Sequence, residues 1–79
     1  SQFLLYPNPA SHELFIRISE PNLTKKTDMF IYNSIGQCVM RQKINYSQTR
    51  LNVSTLRNGV YFIQIQNEKV ILKNVFIKQ

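Results

Sequence analysis

The sequence predicts an all-β fold, a β-sandwich of about seven short strands arranged in two sheets. Apolar residues alternate with polar ones along most of the chain, which is the period of a strand with one buried face, whereas helical spacing is poor. Turn-forming residues interrupt the alternation every ~8–12 residues, as expected of a two-sheet sandwich. The 79 residues, of which 43% are hydrophobic, suffice for a single domain with a thin core.

The predicted strands follow one another with mostly short connections. The first, Phe3–Tyr6, ends at Pro7, because proline has no N–H group to donate to a sheet. The other six cover residues 14–18, 29–32, 37–43, 49–54, 59–66 and 69–78. The longest connections, residues 19–27 and 45–48, are polar, and we expect them to be exposed loops.

Two glycines mark backbone positions that other residues would fill poorly. Gly36 closes a turn at residues 33–36, where glycine is available for a positive φ angle. Gly59 opens the strand in which Tyr61, Ile63 and Ile65 share one face. We expect that face to point into the core.

The last predicted strand carries apolar residues on both of its faces, namely Val70, Leu72 and Phe76 on one and Ile71, Val75 and Ile77 on the other. An apolar strand at an uncovered sheet edge is prone to aggregation. We therefore expect this strand either to be central in its sheet or to pair with something else. A homodimer formed through this strand is one such pairing.

The net charge of +6 favours an acidic partner, but the distribution of the charge argues against nucleic acid. The ten basic residues are scattered along the chain, and only Lys25 and Lys26 are adjacent. Domains that bind nucleic acid usually cluster basic residues with exposed aromatic side chains on one face. We therefore predict no nucleic-acid partner.

The single cysteine and the chain ends carry further expectations. Cys38 has no disulfide partner within the chain, and its place in an alternating segment predicts a small, buried or inert side chain.

No apolar run approaches the ~20 residues of a membrane-spanning helix, and the N-terminus lacks the pattern of an export signal. We expect Ser1 to lie within a longer secreted protein, residues 1–2 to be the remainder of a linker, and residues 1–79 to be one domain.

The inventory of reactive side chains does not support an enzyme. The chain has one histidine, His12, and four dispersed acidic residues, of which no pair stands out as a general acid and base. Metal sites need clustered His, Cys, Asp or Glu, and phosphate loops need clustered glycines. Neither pattern occurs, so we predict no catalytic residues, no metal and no cofactor.

Four short blocks stand in a recognisable order along the chain. They are Tyr-Pro-Asn-Pro-Ala-Ser at residues 6–11, Ile-Tyr-Asn-Ser-Ile-Gly-Gln-Cys-Val at 31–39, Leu-Asn-Val-Ser-Thr-Leu-Arg-Asn-Gly-Val-Tyr-Phe-Ile-Gln-Ile at 51–65 and Lys-Asn-Val-Phe-Ile-Lys-Gln at 73–79. Each block alone is weak, but the order and the final position of the last are specific. Together they resemble the type A C-terminal sorting domain of the type IX (Por) secretion system, over nearly the whole chain.

The resemblance implies an immunoglobulin-like antiparallel β-sandwich that catalyses nothing itself and follows an N-terminal cargo domain. It implies that the domain directs this cargo, in Bacteroidota, from the periplasm across the outer membrane to the cell surface or the medium. The implied partners are the outer-membrane type IX translocon, its shuttle protein, and a sortase-like cysteine peptidase that usually removes the domain.

Two groups of residues are expected to matter in such a domain. The structural motif consists of Pro7, Asn8, Pro9, Gly36, Gly59 and Tyr61. The two prolines fix their own φ angles and restrict the residues before them, which holds the segment around Asn8 extended. Contacts with the translocon, by strand addition as one mode, are expected at Lys73, Ile77, Lys78 and Gln79.

Two alternatives from other functional classes stay open. A surface β-sandwich that binds polysaccharide or another protein would stay on the mature protein and show glycan affinity, whereas a sorting domain would be removed and show none. A basic barrel that binds nucleic acid would bind with a steep dependence on salt concentration.

Overall fold

The computed structural model describes residues 3–19, 27–44 and 47–79, which form two antiparallel β-sheets packed face to face. The strands are β1 (Phe3–Tyr6), β2 (Glu13–Ile18), β3 (Thr27–Tyr32), β4 (Cys38–Ile44), β5 (Gln48–Asn52), β6 (Gly59–Gln66) and β7 (Ile71–Lys78). The all-β prediction is therefore confirmed, with strand ends displaced by up to two residues. Residues 1–2, 20–26 and 45–46, which include the predicted linker remnant and most of the predicted loops, lie outside the described residues.

The order of the strands is that of an immunoglobulin-like sandwich, as the resemblance implied. One sheet has the order β1-β2-β5 and the other β4-β3-β6-β7, and every neighbouring pair is antiparallel. In immunoglobulin nomenclature these are strands A, B and E against strands C′, C, F and G. Consecutive strands thus alternate between sheets at the β2–β3, β4–β5 and β5–β6 connections, which joins the two layers covalently.

The core lies between the sheets and is built from the inward-facing member of each alternating pair. Within the described part of the chain, fifteen buried apolar side chains form one cluster: Phe3, Ala10, Leu14, Ile16, Ile18, Met29, Ile31, Ile44, Leu51, Val53, Tyr61, Ile63, Ile65, Leu72 and Phe76. The predicted inward face of β6 is confirmed, since Tyr61, Ile63 and Ile65 are all buried. Burying such side chains is the main favourable term that holds the two sheets together.

Tyr61 forms a tyrosine corner at the start of β6. Its hydroxyl donates a hydrogen bond of 2.6 Å to the backbone carbonyl of Arg57, four residues upstream, and its ring stacks on Phe76 of β7 with centroids 5.4 Å apart. This arrangement at the E–F connection recurs in immunoglobulin-like domains. Gly59 leads the chain from this corner into β6 with a φ angle of 153°, a conformation that side-chain-bearing residues rarely adopt.

The turn between β3 and β4 is organised by Asn33. Its side-chain oxygen accepts hydrogen bonds from the backbone N–H groups of Ile35 and Gln37, while its carbonyl accepts one from Gly36. Gly36 has a φ angle of 86°, which confirms the predicted positive φ. The turn predicted at residues 33–36 is therefore held together by hydrogen bonds of the Asn33 side chain and backbone.

Of the two expectations for Cys38, a buried or an inert side chain, burial is wrong, because the side chain is exposed. β4 is an edge strand in which only Ile44 is buried, so alternation along this strand does not separate an inner from an outer face. The register between β3 and β4 also shifts at Ile31 and Tyr32, which places Cys38 opposite Tyr32. A bulge of this kind re-aims side chains that follow it.

Replacing Tyr61 with Phe tests the tyrosine corner. We expect the free energy of unfolding to fall by about 1–2 kcal/mol, because the carbonyl of Arg57 loses its partner at a partly buried position. Urea denaturation measures the change. The matched control is Tyr32→Phe, since the Tyr32 hydroxyl has no hydrogen bond with any described residue; equal losses in both variants would contradict the assigned role.

Candidate functional site

The terminal strand β7 lies at the edge of the four-stranded sheet, so the alternative of a central position is wrong. It pairs with β6 along its whole length, from Gly59 opposite Lys78 to Gln66 opposite Ile71. Its other side has no neighbouring strand of the sheet. The second alternative, pairing with something else, holds within the chain itself, because residues 8–10 cover part of this side.

The segment of residues 8–10, which we call the edge clasp, hydrogen-bonds to the outer side of β7. The N–H of Ala10 donates to the carbonyl of Ile77 at 2.7 Å, and the N–H of Gln79 donates to the carbonyl of Ala10 at 2.8 Å. These bonds form a parallel bridge between Ala10 and Lys78. The clasp belongs to the connection between β1 and β2, so a loop of one sheet completes the edge of the other.

Asn8 extends the clasp with its side chain in place of a backbone peptide. Its Oδ1 accepts a hydrogen bond of 2.9 Å from the N–H of Ile77, and its Nδ2 donates one of 3.3 Å to the carbonyl of Val75. An amide side chain has one acceptor and one donor at the spacing of a peptide unit, which explains why Asn suits this position. Asn8 therefore acts as one more residue of a neighbouring strand.

Asn74 completes the closure from the β7 side. Its Oδ1 accepts a hydrogen bond of 2.8 Å from the N–H of Val75, and its Nδ2 donates one of 2.9 Å to the carbonyl of Phe3 in β1. Every outward backbone group from the N–H of Val75 to the N–H of Gln79 thus has a partner. The two sheets are joined at this edge by polar contacts as well as by the core.

Pro7 and Pro9 flank Asn8, and both are exposed. The peptide bonds that precede them are cis. Neither residue has an N–H group, so the clasp cannot present a full row of donors to a further strand. The hydrogen bonds to β7 are therefore made by Asn8 and Ala10, and the two prolines limit the addition of a further strand on the other side of the clasp.

The only part of the β7 edge without such partners among the described residues is its first half. The β6–β7 register is regular, so the backbone groups of Ile71 and Lys73 point outward like those of Val75 and Ile77. No described residue bonds to the outward groups of Ile71 and Lys73. Addition of a strand at Val75 to Gln79 would have to displace the clasp, whereas addition at Ile71 and Lys73 would not.

The four residues expected to contact a translocon do not share one surface. Lys73 and Ile77 lie on the outer face of the sheet, and Gln79 is exposed beside the clasp. Lys78 points toward the other sheet and is only 7% exposed. Its hydrocarbon stem is therefore buried, and a lysine at such a position can extend its charged tip to solvent.

The outer face of the sheet carries an apolar surface that the sequence analysis did not identify. We call it the outer patch; its members, which are 41–46% exposed, are Val60, Phe62, Val75 and Ile77. Phe62 lies opposite Val75 and Val60 opposite Ile77, so the patch consists of two adjacent cross-strand pairs. The signal available in the sequence was an aromatic residue, Phe62, at an outward position between the inward Tyr61 and Ile63.

No cluster of polar residues in the described part of the chain forms a reactive centre. Residues 3–19, 27–44 and 47–79 contain no group of three His, Cys, Asp or Glu side chains that could hold a metal ion. Both ion pairs found within these ranges, Lys43–Asp28 at 3.0 Å and Arg50–Glu13 at 3.3 Å, are exposed. The described residues include no helix with the length and hydropathy needed to cross a membrane.

Replacing Asn8 with Ala tests the clasp. We expect the free energy of unfolding to fall by about 1–3 kcal/mol, because two hydrogen bonds to the edge of β7 are lost at about 0.5–1.5 kcal/mol each. Urea denaturation measures the change, and hydrogen exchange at Ile77 should accelerate relative to Ile63 in the sheet interior.

The matched control for that variant is Asn58→Ala, because the Asn58 side chain is exposed and has no hydrogen bond with any described residue. A loss in Asn8→Ala no larger than in Asn58→Ala would contradict the assigned role of Asn8.

Comparison with known proteins agrees with the blocks noted in the sequence. Residues 4–79 match the family model described as the secretion system C-terminal sorting domain. The chain is also 32% identical over 71 residues to beta-agarase A from Zobellia galactanivorans. That alignment covers 87% of this chain but only 13% of the agarase, so the similarity concerns a small part of the relative.

Proposed function

The chain belongs to the family of C-terminal sorting domains of the type IX (Por) secretion system, and on that premise we propose that it directs an attached cargo protein across the outer membrane. The observation that carries the proposal is the match over residues 4–79, which includes both the clasp and the terminal strand. A sorting domain is not itself catalytic. The agarase activity in the name of the relative belongs to that protein, of which the chain covers only 13%.

In this proposal, the secretion machinery recognises the folded sandwich rather than a linear peptide. The first and last blocks of the sequence are far apart in the chain but bond directly, since Asn8 and Ile77 are 69 positions apart. A receptor that touches this edge therefore reads both blocks only when the domain is folded. The contacts that we propose are Lys73, Ile77 and Gln79, together with the tip of Lys78.

The route of the cargo follows from this assignment. In the proposal, an export signal on the cargo brings the fusion to the periplasm, and the translocon with its shuttle protein then binds the sorting domain. The cargo reaches the cell surface or the medium, where a sortase-like cysteine peptidase removes the domain. The proposed cleavage point lies at or before Phe3, in the linker to the cargo.

The destination of a reporter tests this function. A fluorescent protein with an export signal is placed ahead of residues 1–79, expressed in a host with a type IX system, and measured in periplasmic, surface and medium fractions. We expect the reporter outside the outer membrane, and retention in the periplasm when the domain is absent. Retention with the domain present would contradict the proposal.

Two variants of the same reporter locate the recognised part. Deleting Lys78 and Gln79 should leave the reporter in the periplasm, but this deletion also removes the bond between Gln79 and Ala10 and so weakens the fold. Lys73→Glu alters an exposed side chain without removing a bond, and we expect it to lower the exported fraction several-fold. Lys69→Glu, with an exposed side chain in the β6–β7 turn, is the matched control and should be exported normally.

A second candidate function, binding of polysaccharide, rests on one observation. Tyr6 and Phe15 stack with centroids 5.4 Å apart on the outer face of the three-stranded sheet, and Arg50 lies opposite Phe15. Aromatic faces of this kind can support sugar rings. This alternative predicts glycan affinity that is lost in Tyr6→Ala and retention of the domain on the mature protein, whereas the sorting function predicts neither.

A further inference from the structure

We propose that the outer patch is a docking surface for a protein that presents an apolar ridge with two carboxylates beside it. This inference rests on the proposed sorting function, since the occupant would be the component of the secretion machinery that reads the domain. It extends the recognised surface from β7 alone to the full width of the four-stranded sheet.

The patch is continuous with further apolar groups across the sheet. Phe62 is paired on one side with Val75 of β7 and on the other with Tyr32 of β3, so one row of outward side chains spans three strands. Phe30, on the next row, stacks with Tyr32 at a centroid distance of 6.3 Å. Contiguous exposed apolar surface of this kind marks interaction sites more often than scattered single residues do.

A depression beside the patch gives the surface a shape that a protein side chain can enter. It has a volume of about 430 Å³, and its lining includes Tyr32, Phe62, Lys73 and Val75. Asn33, Ser34 and Gly36 of the β3–β4 turn also line it. Anchoring side chains that enter such pockets usually contribute most of the affinity of an interface.

Two cations on the next row set the charge of the partner. Arg41, Phe30, Gln64 and Lys73 lie side by side across the four strands, with the cations on the two edge strands. Three strand spacings separate Arg41 from Lys73, which is roughly 14 Å. Neither forms an ion pair within the described residues, whereas the neighbouring Lys43 is paired with Asp28. A partner with carboxylates at that separation would complement both cations.

Charge and shape disfavour two other partners for this face, a second copy of the chain and a lipid surface. Two copies of this chain would bring a net charge of +6 against +6 and oppose like cations at the patch. A lipid surface would satisfy the cations, but the apolar side chains here are only about half exposed and border a depression. Insertion into a bilayer favours projecting apolar groups over a recessed surface.

Two pairs of variants test the docking surface in the secreted reporter. Phe62→Thr with Val75→Thr removes the centre of the patch while retaining residues that suit strands, and Leu4→Thr, which changes a 58% exposed side chain on the outer face of β1, is its control. Arg41→Glu with Lys73→Glu reverses the two cations, and Arg17→Glu with Lys69→Glu is the control with the same change in net charge. Urea denaturation establishes that each purified variant is folded.

We expect the patch variant to lower export at least about tenfold, as for loss of a central interface anchor, and the charge reversal to lower it several-fold. Both controls should be exported like the unchanged domain. As a second readout, the domain without cargo is exported to the periplasm in excess. The unchanged domain should compete with the reporter, and the folded patch variant should not.

The remaining outcomes each overturn a defined part of the argument. Suppose that the unchanged domain exports the reporter, and that the folded variant with Phe62→Thr and Val75→Thr exports it and competes equally well. The docking surface is then wrong and the sorting function stands. If the unchanged domain does not export the reporter, the sorting function fails and the docking inference fails with it.

Two measurements on the purified domain address the other occupants. Binding to vesicles of phosphatidylglycerol and phosphatidylcholine that disappears in the patch variant would replace the protein partner with a lipid surface. A dimer in sedimentation experiments that disappears in the patch variant would replace it with a second copy. We expect neither.

Discussion

The hydrogen bonds between residues 8–10 and the outer side of β7 are the constraint on which the rest of the structure depends. β7 is apolar on both faces and lies at a sheet edge, which in isolation would be a site for aggregation. The clasp satisfies the outward backbone groups from the carbonyl of Val75 to the N–H of Gln79 with groups from the other end of the chain. The N–H of Val75 donates to Asn74 Oδ1 within β7. The same bonds hold the β1–β2 connection against the opposite sheet, so the closure of the edge and the docking of the two sheets are one feature.

That constraint also explains the composition of the first sequence block. A regular strand at this place would cover β7 but would expose a new edge of its own. Two prolines with one asparagine between them supply a donor and an acceptor toward β7 through the Asn8 side chain, and no N–H groups of their own. Pairing therefore stops after one layer, which limits the addition of further strands at this edge.

The sequence predicted the strands and the core because both depend on local periodicity. Alternation identified the buried faces of β2, β3 and β6, and Gly36 identified the turn after β3. Alternation could not show whether β7 lies at the centre or at the edge of its sheet, because a strand with two apolar faces has the same pattern in both positions. The extended conformation expected from Pro7 and Pro9 is wrong, because residues 7–9 form consecutive bends. Nor could the sequence identify the partners of Asn8, which are 67 and 69 positions away. The buried stem of Lys78 and the exposed Cys38 depend likewise on which strand lies at an edge.

Edge closure bears on how a receptor could recognise the terminal strand. Strand addition gains its affinity from new main-chain hydrogen bonds, and its specificity from side-chain pockets. Along Val75 to Gln79 an incoming strand would exchange bonds rather than gain them, because each outward group already has a partner within the chain. The net contribution of a hydrogen bond is about 0.5–1.5 kcal/mol even when a new one forms, so exchange leaves little to drive binding. Side chains on the outer face, with Phe62 and Val75 at their centre, can be buried without breaking any of these bonds. Recognition through the face is therefore compatible with the folded, closed edge, whereas recognition through the strand would be confined to Ile71 and Lys73.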